Sequence, residues 1–72
     1  MYTVKMTQHQ MEEVAALQFP KAFFREVYFA NGEWHLNAKF NFKDGDGQYQ
    51  ISCRAIEFWD GIYFEEYHAE YL

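Results

Sequence analysis

AFFREVYFA-NG-EWHLNAKFNFK, residues 22–43, reads as a β-hairpin. Asn31-Gly32 accepts the positive φ angles that a two-residue type I′ turn demands. That turn pairs Ala30 with Glu33, and the rest of the register follows. Phe29 faces Trp34, Val27 faces Leu36 and Phe23 faces Phe40. Apolar and polar residues alternate on both arms, so Phe23, Val27, Phe29, Trp34, Leu36, Ala38, Phe40 and Phe42 share one face.

Reading onward, Asp44-Gly45-Asp46-Gly47 marks a second turn. Pairing Lys43 with Gln48 sets Phe42 against Tyr49, Phe40 against Ile51, Ala38 against Cys53 and Leu36 against Ala55. Two separate turns therefore predict one apolar face, and that agreement is evidence for a sheet. Asp60-Gly61 signals a third turn. In simple register Glu57 would point into the core, which predicts a bulge near residues 56–58. The tail IYFEEYHAEYL carries Phe64, Tyr67, Tyr71 and Leu72 at spacings that also suit a helix. A fourth meander strand through about Glu66 is the favoured reading, with the last residues open.

Reading backward, Thr7 and Gln10 form a capping box that starts a helix, and Met6 and Met11 are placed for a hydrophobic staple across it. Met11, Val14, Ala15 and Leu17 give the apolar stripe. Pro20 disfavours helical geometry at Phe19, so the helix ends near Leu17 or Gln18. Residues 2–6 are read as a short strand. The expected fold is a single small α+β domain over residues 1–72, of order β-α-β-β-β with a further strand. One N-terminal helix packs on a three- to four-stranded antiparallel meander. This order resembles that of cystatin-like folds. The Gln-x-Val-x-Gly inhibitory loop of cystatins is absent, so the resemblance implies topology and no protease inhibition.

Composition limits the rest. The chain has 72 residues, of which 22% are Phe, Trp or Tyr, so large rings supply a core that a short chain otherwise lacks. Cys53 is the single cysteine, so no disulfide forms within the chain, which suits a reducing compartment. The N-terminal residues lack a signal-peptide pattern and no apolar run suits a membrane span, so the expected location is cytoplasmic. The net charge is −5. Residues 1–54 hold six acids and six bases, whereas residues 55–72 hold five acids and no base. Direct nucleic-acid binding is disfavoured, because phosphate contacts need clustered Lys and Arg, and a protein partner with a basic surface is favoured.

The candidates for chemistry are weak. His9, His35 and His68 share no ligand spacing, and neither a metal nor a cofactor is expected. Cys53 reads as a small core residue rather than a nucleophile. Counting a calcium loop from Asp44 puts Ala55 where a glutamate is required. Glu57, Glu65 and Glu66 show no sign of the burial that acid–base catalysis needs, so the expectation is a non-enzymatic protein.

Two surfaces remain. Glu57, Trp59, Asp60, Tyr63, Glu65, Glu66, Tyr67 and Glu70 form the candidate partner-binding segment, since Tyr and Trp favour interface anchors and acids steer a basic partner. A nucleic-acid-binding protein inhibited in the manner of anti-restriction, anti-CRISPR or transcription inhibitors is one such partner. An edge strand whose rings enter the core and whose acids solvate its outer face explains the same pattern without a partner. On the polar sheet face the expected rows are Tyr28–His35–Ile56, Glu26–Asn37–Arg54 and Phe24–Lys39–Ser52. Phe24, Tyr28, Ile56 and Phe58 make an apolar corner there. The alternative function is a self-associating structural or accessory subunit that forms a homodimer through this corner and the open sheet edge.

Overall fold

A computed structural model describes residues 5–72. One helix, α1 (Gln8–Gln18), precedes four strands, β1 (Phe24–Ala30), β2 (Glu33–Asn41), β3 (Gln48–Phe58) and β4 (Gly61–Tyr71). The strands form one antiparallel sheet in the order β1-β2-β3-β4. The α+β meander expected from the sequence is the observed fold. The expected strand at residues 2–6 lies mostly outside the described residues, and Lys5 and Met6 are not in strand conformation.

The helix begins as its capping box dictates. The Gln10 N–H donates to Thr7 Oγ1 at 3.1 Å, and the Thr7 N–H donates to Gln10 Oε1 at 2.9 Å. Met11 and Ala15 are fully buried, while Leu17 is 85% exposed, so it leaves the expected stripe. The stripe that meets the sheet is Gln8, Met11, Ala15 and Gln18, which share one side of the helix at spacings of three and four. Its two polar ends are the anchors. Gln8 Nε2 donates to the Val27 carbonyl on β1 at 2.6 Å. The Gln18 side chain bonds the Phe64 backbone on β4. An 11-residue helix is ~16 Å long, and β1 and β4 lie ~14 Å apart across three strand spacings. The helix therefore crosses the strands and spans the sheet from edge to edge.

Beneath it lies the core: Met11, Ala15, Val27, Trp34, Leu36, Ala38, Ile51, Cys53, Ile62 and Phe64. Burying a side chain of Leu or Phe size contributes roughly 1.5–3 kcal/mol, and these residues carry the fold. Phe23 and Phe29, expected on this face, are about half exposed, because they lie beyond the helix. Arg25 occupies the same face and donates through Nη1 to the carbonyls of Phe19 (2.9 Å) and Ala22 (3.2 Å), which fixes the helix-to-strand connection.

The first hairpin has the expected register throughout β1, from Ala30↔Glu33 to Phe24↔Lys39. Asn31 (φ 53) and Gly32 (φ 77) make its turn. Phe23 precedes the strand, and its N–H donates to the Lys39 carbonyl.

The second hairpin differs from expectation by two residues. Asn41 pairs with Gln48, Phe40 with Tyr49, Ala38 with Ile51 and Leu36 with Cys53. The connection is longer than Asp44–Gly47. Phe42 closes it, donating its N–H to the Gly47 carbonyl (3.1 Å) and accepting from the Gly45 N–H (2.9 Å). Asp44 Oδ1 accepts from the Asp46 N–H at 3.0 Å, a local turn that competes with the ladder. Gly47 has φ +106 with the Phe42 ring against it, so a side chain there is strained. Because the shift is even, every side chain keeps its expected face.

Candidate functional site

The structure resolves the ambiguous tail. Residues 61–71 are strand, so the fourth strand runs beyond Glu66. The expected bulge at 56–58 is absent, and Glu57 pairs with Ile62 in regular register at the end of the sheet. The irregularity lies instead in β4. Cys53 pairs with Glu66 and Ser52 with His68, which leaves Tyr67 as an extra residue.

The bulge changes which acids point where. Glu65 and Glu70 stand on the open face of the sheet, opposite Arg54 and Gln50. Arg54 Nη2 lies 3.8 Å from Glu65 Oε1, and His68 Nε2 lies 3.9 Å from Glu70 Oε2, both as exposed pairs. Glu57 and Glu66 share the helix side with Ile62 and Cys53. Asp60 sits in the β3–β4 turn and accepts from Tyr63 Oη at 3.3 Å. That charge, and the bond to it, raise the Tyr63 pKa. The five carboxylates thus follow the end of β3, the turn and β4 along both faces and do not form one flat patch.

Of the candidate rings, Trp59 is 97% exposed at the tip of the turn. Phe58 and Tyr63 beside it are about half exposed and meet edge to face, with centroids 5.6 Å apart. Tyr67, the bulged residue, is exposed. At the other end of β4, Tyr71 joins Phe42, Tyr49 and Phe40 in a chain of rings 5.0–5.6 Å apart beyond the helix.

The register shift also redraws the open face. His35 stacks on Tyr28 (5.2 Å, 17°) and is followed by Arg54, not Ile56. Glu26, Asn37 and Ser52 form a hydrogen-bonded row, in place of a Glu26–Asn37–Arg54 row. Lys39 lies over the Phe24 ring at 4.9 Å and is followed by Gln50. Ile56 pairs with Tyr63. The proposed corner is thereby divided: Phe24 lies under Lys39, Tyr28 under the histidine, and Ile56 and Phe58 stand with Tyr63 at the β3–β4 tip.

Cys53 is fully buried, and burial first, then the Glu66 charge, pushes its thiol up to about 11. Such a thiol is a poor nucleophile. His9 pairs with Glu13 on the exposed side of the helix, far in sequence from the other histidines. Among the described residues, no three His, Cys, Asp or Glu side chains converge as a metal site, and no helix is long and apolar enough to cross a membrane.

Sequence reasoning missed Gln8 and Gln18. Their signal was present: polar residues on the same helical stripe as Met11 and Ala15, one at each end. No protein-family model, no curated protein and no solved structure matches the chain.

Proposed function

We propose that this protein is a non-enzymatic binding module whose β3–β4 hairpin engages a basic surface on another protein. The observation that carries the reading is Trp59, 97% exposed at the hairpin tip beside Asp60. A fully solvated tryptophan contributes little to folding, whereas tryptophan is among the residues most enriched at interface hot spots. Glu57 and Asp60 flank it, and Glu65, Glu66 and Glu70 carry a negative field onward along β4, offset in part by Arg54 and His68, with Tyr63 and Tyr67 interleaved. Such a field speeds encounter with a basic partner and weakens with salt. A nucleic-acid-binding protein inhibited at its basic site has this chemistry.

The test is capture from the native host's lysate at low and high salt. The variant E57Q/D60N/E65Q/E66Q/E70Q and the variant W59A run alongside. A basic protein retained at low salt and lost in both variants is the expected result. A partner indifferent to salt and to both variants overturns the reading.

A second reading is self-association, which the exposed rings of Phe58 and Tyr63 beside Ile56 on the open face at the β3–β4 tip favour. It requires a dimer in solution that Tyr28→Glu or Ile56→Glu splits. A monomer in sedimentation at high concentration removes it.

A further inference from the structure

The outer edge of β4 is treated differently along its length. At Phe64 the backbone N–H and C=O both face outward, and both are taken by Gln18: Phe64 N–H donates to Oε1 at 2.8 Å, and Nε2 donates to the Phe64 carbonyl at 2.6 Å. The amide completes the edge as a neighbouring strand would. At the far end, the Leu72 N–H faces inward and donates to the Gln48 carbonyl at 3.0 Å. Alternation between these fixed points, with Tyr67 as the extra residue, turns the backbone groups of Ala69 and Tyr71 outward. Among the described residues, no hydrogen bond closes this second stretch. Beside it on the helix side runs a groove of about 280 Å³, lined by Phe42, Tyr49, Ala69, Glu70 and Tyr71. Ala69 is its small residue, and the rings are its walls.

We propose that the 68–72 end of β4 is a docking edge for an extended basic segment of a partner protein. The segment adds as a strand to Ala69 and Tyr71 and lays an arginine or lysine side chain along the groove, over the rings. This rests on the reading of a basic partner and adds where and how that partner binds. The charges select the occupant. A second copy pairing antiparallel with Ala69 opposite Tyr71 would set Glu70 of one chain against Glu70 of the other, with no Lys or Arg in residues 55–72 to offset them. Glutamates and a bulge are also devices that keep neutral strands off an edge. A basic segment turns the same carboxylates into attraction, so the edge is closed to most strands and open to one class.

The experiment is an NMR titration with a short synthetic peptide of alternating Arg and Thr, set against its Glu/Thr counterpart. The protein is wild type, Ala69→Pro, Tyr71→Pro and E66Q/E70Q. Proline at an outward position removes an edge donor and leaves the inner ladder intact. Protection of the Leu72 amide reports that ladder in each variant. The expected result is new protection of the Ala69 and Tyr71 amides and cross-strand NOEs to the Arg peptide only. Affinity falls about ten-fold or more in a proline variant that keeps Leu72 protected. Absence of the cross-strand NOEs in wild type overturns strand addition, as does wild-type affinity in a folded proline variant. In either case, weaker binding by E66Q/E70Q leaves the charge-based reading standing. Equal binding of the Glu peptide, or indifference to E66Q/E70Q, overturns both.

Discussion

The first and last hairpins use the same residue types, aromatic and β-branched with scattered charges, yet they are built differently. β1–β2 has a two-residue turn with Asn31 and Gly32 in the left-handed region and an unbroken register. It places Val27, Trp34, Leu36 and Ala38 under the helix. β3–β4 is longer, interrupted at Tyr67, and carries the unbalanced charge. Only its helix-side residues Ile51, Cys53, Ile62 and Phe64 enter the core, while Phe58, Trp59 and Tyr63 at one end and Tyr71 at the other are exposed. One hairpin is committed to stability, and the other shares its residues between stability and surface chemistry.

The sharpest way to break this contrast is at Leu36, fully buried in the first hairpin. Leu36→Ala should lower unfolding free energy by about 3 kcal/mol, the usual cost of a lost transfer term plus a cavity. For a domain this small that is a large share of the total. Denaturant melts check it. A cost below about 1 kcal/mol would mean that the core collapses around the change and that the first hairpin is not its centre.

β3 belongs to both the interior and the last hairpin, and Cys53 probes it. Its thiol has a folded pKa of about 11 against an ordinary 9.0, because burial and Glu66 disfavour the thiolate. The folded state therefore holds the proton more tightly than the unfolded chain. Stability is full below pH 9 and declines as pH rises toward 11, by up to about 2 kcal/mol. Cys53→Ala should flatten that decline relative to wild type, in melts across the alkaline range. An unchanged slope would place the loss elsewhere, Tyr63 included.

Gln18 marks the border between the two roles of β4. Gln18→Ala leaves the Phe64 N–H and C=O without their partner and should cost about 1 kcal/mol. Hydrogen exchange at the Phe64 amide should rise, with Val27 unaffected because Gln8 holds the other edge.

The contrast also explains what could be read from the chain. The first hairpin was legible because a two-residue turn fixes its register by itself. The second was legible in its faces and not in its pairs, since two glycines with positive φ and the Asp44 turn lengthen the loop by an even number of residues. The tail was ambiguous for a physical reason. The extra residue at Tyr67 breaks the two-residue period, so Phe64, Tyr67 and Tyr71 fall at spacings of three and four, which imitate a helix. The acidic segment stood out in composition, but the division of its carboxylates between two faces depends on that same bulge. The clamps at Gln8 and Gln18 were hidden by habit, since glutamine on a helix is ordinarily solvated.

The smallest expected effect carries the most weight for function. Trp59→Ala should change stability by no more than about 0.5 kcal/mol, because a side chain 97% exposed leaves almost no apolar surface to lose. Turn geometry does not require it either, since the backbone at Phe58↔Gly61 sets the pairing. A neutral melt with an intact spectrum would mean that the indole has no folding role, as the recognition reading requires. A cost above about 1 kcal/mol would show that the indole packs in solution, and the hairpin tip would then belong with the interior, as the first hairpin does.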